Sequence, residues 1–412
     1  DGIVVEYKVS NDKIKETIQK LKEKENIDWA EPNYYYYPTS VPDDRYYKNQ
    51  ENYININLEA GWDIEKGSHE VTIGVLDTGI IKNHPDLEPN LLKGADFVEG
   101  ENSYPVSNYK MTDDDPTDET TLVNGGSHGT HVSGVIGAVT DNYKGVAGMN
   151  WDMNILPVRV LKKSGGTSWD IVEGIYYAID QGVDVINLSL GSNNYSHFIH
   201  EAVKKAIRED IVIVGAAGND GKNSVYYPGA YPEVIAVGAV DMYNKKANYS
   251  NYGPEIDIVA PGGGYGGSIY STWGYYNPDS GHTVSSYGGM IGTSMATPHV
   301  SGLAGLLKAQ GINQPEQIKN RITQTAVKLE NNSNNKNYYG HGLIDVYSAL
   351  LGKKLENPEV FAAVKENNSW RIKSDIVKSD KNGNYNLNKV VSTDVFILGW
   401  RDVNQNGIID KG

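Results

Sequence analysis

The chain has 412 residues, more than one ordinary globular core accommodates, so two or three domains are expected, one of them large. Its 37 Lys and Arg against 52 Asp and Glu give a net charge of −15, which repels nucleic acid and anionic membrane and argues against a polyanion-binding role. Hydrophobic residues make up 39%, no apolar run approaches a bilayer span, and Cys is absent; a membrane span, disulfides, thiolate zinc and a cysteine nucleophile are therefore not expected. Acidic clusters leave calcium as the candidate for holding loops in place. The chain opens on Asp1, with neither Met nor an apolar signal region, and reads as a processed product.

Residues 1 to about 40 read as a small element. A strand at 3–7 precedes a basic amphipathic helix that Asn11 can cap, with Ile14, Ile18 and Leu21 on one face, and a second strand follows at 27–30. Alone, such a piece buries too little surface to be stable, so it is expected to dock on something. From 41 to 352, β-rich runs alternate with helical ones. Strands are predicted at 71–76, 155–161, 183–190, 211–217, 234–240 and 256–260, and helices at 169–181, 198–208, 294–310 and 315–324. That alternation predicts the α/β class, with a parallel sheet covered on both faces. From 353 to 412 the composition turns polar and β-branched, with turn signals at Asp380-Lys381-Asn382-Gly383 and Asn406-Gly407, which predicts a small all-β module.

Ligands bind open parallel sheets at the carboxyl ends of strands. Three predicted strands or helices meet polar residues there: Asp77-Thr78-Gly79, Gly215-Ala216-Ala217-Gly218-Asn219, and Gly292-Thr293-Ser294-Met295-Ala296 at the first turn of a small-residue helix. Between the first two lies His128-Gly129-Thr130-His131. An Asp, a His and a Ser in separate loops make one hydrolytic centre possible, because a serine hydroxyl needs an imidazole to take its proton and a carboxylate to hold that imidazole in one tautomer. Each motif alone has a plainer reading: a turn, a core histidine or metal pair, a helix cap. Zinc is disfavoured, since neither a Cys nor the Glu that follows the first His in zinc-protease helices is present.

In order and spacing, these three motifs resemble the signatures of the subtilisin-like serine proteases, of the thermitase and fervidolysin types, over nearly all of residues 42–350. The resemblance implies a subtilisin-like doubly wound sheet and a serine endopeptidase. Ser294 would be nucleophile, His128 base and then acid, Asp77 the orienting carboxylate, and Asn219 an oxyanion donor with the Ser294 N–H; His131 would be structural. Ser189-Leu190-Gly191 and Ser164-Gly165-Gly166 would flank an extended protein or peptide substrate. Ala216, Ala217 and Gly218 would line a pocket favouring apolar or aromatic residues at P1, the position before the scissile bond. A non-catalytic calcium-dependent binding protein on the same scaffold is the competing class, and its mark would be loss of a triad member.

The resemblance also implies calcium. A tight loop would use the Asn142 side chain, the carbonyls of Val139, Lys144 and Val146, and the carboxylates of Asp86 and Asp44. The acidic run from Asp113 through Asp115 to Glu119, with Asp96 nearby, is a second candidate, and an insertion between Phe97 and Asp113 alters it. A third, EF-hand-like set is Asp402, Asn404, Asn406 and Asp410, whose twelfth position falls beyond Gly412. Residues 1–40 resemble the end of an inhibitory propeptide, with cleavage expected between Tyr37 and Asp43. The enzyme is expected to be a secreted, extracellular monomer whose partners are its substrates and its own propeptide.

Overall fold

The computed structural model describes residues 41–98, 104–106, 109–329 and 335–353, and past these only the strands Glu359–Glu366, Ser369–Ile372, Val377–Lys378 and Phe396–Trp400. The expectations for residues 1–40 and for Asp402, Asn404, Asn406 and Asp410 lie outside the described residues. Residues Thr39–Lys354 form one compact unit.

Two short helices, α1 (Asn52–Asn55) and α2 (Leu58–Trp62), lead into the long strand β1 (Gly67–Asp77). After β2 (Ala95–Asp96) and a small hairpin, β3 (Tyr104–Val106) and β4 (Tyr109–Met111), comes helix α3 (His128–Gly137). Then β5 (Asp152–Arg159), α4 (Ser168–Asp180), β6 (Val185–Leu188), α5 (His197–Arg208), β7 (Val212–Ala216), β8 (Ile235–Val240) and β9 (Ile258–Pro261) follow. The hairpin β10 (Ile269–Asn277) and β11 (His282–Met290) precedes α6 (Thr293–Ala309), α7 (Pro315–Thr325), α8 (Asn335–Tyr339) and α9 (Val346–Leu351).

Seven strands pair in the order β2-β5-β1-β6-β7-β8-β9, all parallel, with Ile73 opposite both Ile155 and Val185. Alternation of side chains divides two cores. Ile73, Val75, Val185, Val212 and Val214 join α3 and α6 on one face; Leu76, Ile186, Leu188 and Ile213 join α4 and α5 on the other. The α/β class and the two covered faces are as the runs predicted. The order reverses beside β1, so the crevice at its carboxyl end opens at Asp77.

Of the elements that the apolar runs did not predict, two bear on the site. Helix α3 carries glycines at 129, 134 and 137, each unfavourable by about 1 kcal/mol in a helix. Burial decides instead: Val132, Val135 and Ile136 are within 1% of fully buried, and each such side chain contributes about 1.5–3 kcal/mol. Gly134 is needed for contact, since a Cβ there would lie 2.0 Å from Thr272 Oγ1 of β10. The β10–β11 hairpin is the second, with a Gly-, Ser- and Tyr-rich sequence that lacks clean alternation; it clasps α3 through Ser271 Oγ to the His131 carbonyl (2.9 Å) and Thr272 Oγ1 to the Thr130 carbonyl (2.7 Å).

Near the chain's end, strands β12 (Glu359–Glu366), β13 (Ser369–Ile372), β14 (Val377–Lys378) and β15 (Phe396–Trp400) form a separate antiparallel sheet. There β12 pairs with the other three.

Candidate active site

Asp77 is the last residue of β1 and is 1% exposed. His128 is the first residue of α3, whose cap Ser127 accepts from the Thr130 N–H. The two meet: His128 Nδ1 lies 2.7 Å from Asp77 Oδ1, which also accepts from the Thr78 N–H at 2.7 Å. An ionised carboxylate only accepts, so Nδ1 carries the proton and Nε2 is left as the base. Burial pushes the His128 imidazole down, but the Asp77 charge and hydrogen bond, with help from Asp118, outweigh it and raise its pKa above the ordinary value.

Behind this pair stands Asp118, 1% exposed, which the sequence offered only as part of an acidic run. It accepts from Thr78 Oγ1, from Ser127 Oγ (2.7 Å) and from the Thr120 N–H (2.8 Å). Thr78 Oγ1 in turn accepts from the Gly129 N–H at 3.0 Å, so one carboxylate pins the backbones that carry Asp77 and His128.

Ser294 sits in the first turn of α6, whose other residues are largely buried. Its hydroxyl donates to the Ser189 carbonyl (3.2 Å), and Ser189 Oγ donates to the Ser294 carbonyl (2.9 Å). Among the described residues no hydrogen bond joins Ser294 Oγ to His128; free-enzyme geometry of this kind tightens when substrate arrives. Asn219, just past β7, has its amide orientation settled by chemistry: Thr293 N–H can only donate, and Asn219 Oδ1 accepts from it at 2.8 Å and from Thr293 Oγ1 at 2.9 Å. Nδ2 is left on the other side of the amide, and a Cβ on Gly292 would crowd the whole group, at 3.4 Å from Nδ2 and 3.7 Å from Oδ1. Gly292 has φ 157° and ψ 163°, a region essentially restricted to glycine.

Ser189, Leu190 and Gly191 follow β6, with Ser189 bonded to Ser294, and the Gly218 N–H donates to Thr293 Oγ1 at 3.2 Å beside it. Gly165 and Gly166 lie in a tight turn after β5, closed by the Lys162 and Gly165 main chains at 2.9–3.0 Å. The same turn carries Lys163, whose charge lowers the His128 pKa against the larger effect of Asp77. His131 Nε2 donates to the Ile269 (3.0 Å) and Gly288 (3.2 Å) carbonyls; burial pushes its pKa down to about 3. It is a structural, neutral residue.

Of the six candidate ligands of the tight loop, Asp86, Asn142 and the Val139 carbonyl meet directly, whereas Lys144 and Val146 join through their N–H groups and Asp44 through the Asp141 N–H. Asp86 Oδ1 accepts from Asn142 Nδ2 (2.9 Å), Asp86 Oδ2 from the Val146 N–H (2.8 Å), and Asn142 Nδ2 also reaches the Val139 carbonyl (2.9 Å). Asn142 Oδ1 holds the Lys144 N–H at 2.7 Å, and Asp44 Oδ2 accepts from the Asp141 N–H at 2.8 Å. Asp44 Oδ1 is buried with no partner. Burial, with the neighbouring Asp86 charge adding, raises Asp44 to about 6; burial also raises Asp86. A buried, unpartnered Asp44 oxygen near a second buried carboxylate, with the Asn142 amide oxygen and the Val139 carbonyl in the same loop, has the donor chemistry of a hard-cation site.

The acidic run is different. Asp96 is held by Arg159 Nη1 (2.7 Å), Glu119 by Arg159 Nη2 (3.1 Å), Asp115 by Lys82 (2.8 Å) and Asp114 by Lys93 (2.5 Å). Asp113 Oδ1 accepts from the Asp115 N–H at 2.9 Å. Among the described residues no group of three or more His, Cys, Asp or Glu is placed to hold a metal.

A parallel sheet with an Asp–His pair at its switch point and a serine heading a buried helix defines a hydrolase of the serine type, and comparison gives the class its name. The subtilase family profile matches residues 68–342, and the chain belongs to that family of serine proteases. It is 41% identical over 345 residues to the thermophilic serine proteinase of Bacillus sp. (strain AK1), covering 83% of this chain and 77% of that protein. It is 38% identical over 312 residues to thermitase of Thermoactinomyces vulgaris, covering 75% and 99%. Among solved structures, a protease of Pseudoalteromonas arctica PAMC 21717 superposes with a TM-score of 0.67 at 34% identity, covering 76% of this chain and 99% of that one.

Proposed function

We propose that the protein is a calcium-stabilised serine endopeptidase that hydrolyses peptide bonds in extended protein substrates and is made as a self-processing precursor. The observation that carries the reading is the 2.7 Å bond between His128 Nδ1 and Asp77 Oδ1. In this mechanism a substrate strand adds along Ser189–Gly191, and a substrate N–H takes the Ser189 carbonyl that Ser294 Oγ now occupies. The freed hydroxyl attacks the scissile carbonyl carbon, giving its proton to His128 Nε2 as the C–O bond forms and the carbonyl electron pair moves to oxygen. Asn219 Nδ2 and the Ser294 N–H stabilise that oxyanion. The tetrahedral intermediate collapses, the C–N bond breaks, and His128 passes the proton to the leaving amine; water then repeats the steps on the acyl-enzyme.

Calcium, held by Asp44, Asp86, Asn142 and the carbonyls of Val139, Lys144 and Val146, would neutralise the buried carboxylates and tie the segment at Asp44 to the loop. Residues 1–40 serve as a propeptide, residues 353–412 as an accessory module, and the enzyme works outside the cell as a monomer, where millimolar calcium is available. Among the described residues no helix is long and apolar enough to cross a membrane.

The test is Ser294→Ala assayed on casein. The expected loss is roughly 10⁶-fold, the size seen when a serine protease loses its nucleophile; full turnover would remove the serine mechanism. Recovery of activity from culture medium, with active material beginning between residues 37 and 43, checks secretion and processing; active material that still begins at Asp1 would count against the propeptide.

A further inference from the structure

Resting on the protease reading, we infer that Tyr226 closes the P1 pocket and makes the enzyme selective for small residues before the scissile bond. A substrate whose carbonyl carbon lies at Ser294 Oγ and whose oxygen lies at Asn219 Nδ2 must send its P1 side chain between the segment after Ser189 and the segment before Asn219. Small residues on both segments would leave that space open for an aromatic group. Tyr226 lies against both. A Cβ placed on Gly191 would be 3.0 Å from Tyr226 Cβ, and one placed on Gly218 would be 2.9 Å from both Cγ and Cδ2 of its ring.

The ring is tethered at both ends. Its main chain donates to the Ala217 carbonyl at 2.9 Å, and Tyr227 exchanges a pair of 2.9 Å hydrogen bonds with Ser192, so residues 226 and 227 tie the two pocket walls together. At the other end the phenol donates to Asp220 Oδ2 and accepts from Asn193 Nδ2 at 3.3 Å. Asp220 is itself held by Lys222 at 3.2 Å. A P1 phenylalanine must displace the ring and break these bonds, whereas alanine leaves them in place. Leucine falls between. The aromatic preference that the small residues 216–218 imply from sequence is thus overridden by a side chain further along the same β7–β8 connection.

The experiment compares kcat/KM of the full chain on tetrapeptide p-nitroanilides differing only in P1, with active sites counted by a fluorophosphonate. The wild type is expected to favour P1 Ala over P1 Phe by tenfold or more, within the roughly 10–200-fold range that side-chain size differences produce in such pockets. Tyr226→Gly should raise turnover of P1 Phe and invert the ratio, and Tyr226→Phe, which keeps the bulk but loses both hydrogen bonds of the phenol, should move the ratio only part of the way toward Phe. Asp220→Asn, which loosens the tether, should move the ratio part of the way and serves if Tyr226→Gly does not fold. A wild type that labels at Ser294 yet cleaves P1 Phe as well as P1 Ala overturns this inference alone, as does an unchanged ratio in Tyr226→Gly. Absence of both labelling and turnover would overturn the protease reading, and this inference with it.

Discussion

Two acidic regions of this molecule look alike in sequence and differ in physics. The loop around Asp86 uses few charges, but they are buried: Asp86 is 0% and Asp44 5% exposed, and one Asp44 oxygen has no partner. The run from Asp113 to Glu119 is crowded with carboxylates, yet Asp114 and Asp115 keep more than half their side-chain surface in water and pair with lysines, while the buried Asp96 has Arg159. Charge density is therefore a poor guide to which carboxylates are left buried and uncompensated. Exposed ion pairs are worth at most about 1 kcal/mol, but an uncompensated buried carboxylate is costly until something neutralises it.

Chelation should break the first region and spare the second. On the proposal that calcium occupies the first, at about 1,000 times its dissociation constant the ion would stabilise by about 4 kcal/mol, and for a unit the size of Thr39–Lys354 its removal should lower the melting temperature by roughly 6 °C. In Asp86→Asn the chelator should have little further effect, and a full chelator shift in that variant would move the cation elsewhere. The next effect belongs to Arg159→Met, which leaves Asp96 buried without its cation; about 3 kcal/mol of stability should be lost in denaturant melts, the lower end of the range for breaking such pairs because Asp96 can take up a proton and keeps its bond from the Val98 N–H. Asp113→Asn should change stability by less than about 0.5 kcal/mol and leave the chelator shift intact. If Asp113→Asn instead abolished that shift, the contrast between the regions would be wrong.

The contrast also shows what could be read in advance. Fully buried parallel strands are unbroken apolar runs, so β1 and β5 through β9 were visible, and the chemistry at Asp77, His128, Asn219 and Ser294 follows from short motifs beside them. Helix α3 was invisible because its reason to be helical is packing against the β10–β11 hairpin and not propensity. Asp118 was lost among its acidic neighbours, since burial and not identity sets it apart. Tyr226 lies in the same β7–β8 connection as Asn219, but its sequence does not show that the connection folds back there onto Ala217 and Gly218.

The acidic run has one member that bears on chemistry, and it gives the smallest effect. Activity requires His128 without its proton on Nε2, and the raised pKa places the acid limb of kcat/KM above the ordinary histidine value of about 6.5. Activity should climb as pH passes through that raised value. The stability from the Asp77–His128 pair runs the opposite way: it is fully present below the unfolded histidine pKa and fades as pH rises through the folded one. Asp118 adds to the upward shift and Lys163 opposes it. Lys163 is exposed, so Lys163→Met should move the limb to higher pH without disturbing the fold, and Asp118→Asn should move it to lower pH while loosening Thr78 and Ser127. Opposite displacements in a pH–rate series would show that the run's buried end tunes the imidazole. Displacement in the same direction would mean that both substitutions act through the backbone at His128 and not through charge.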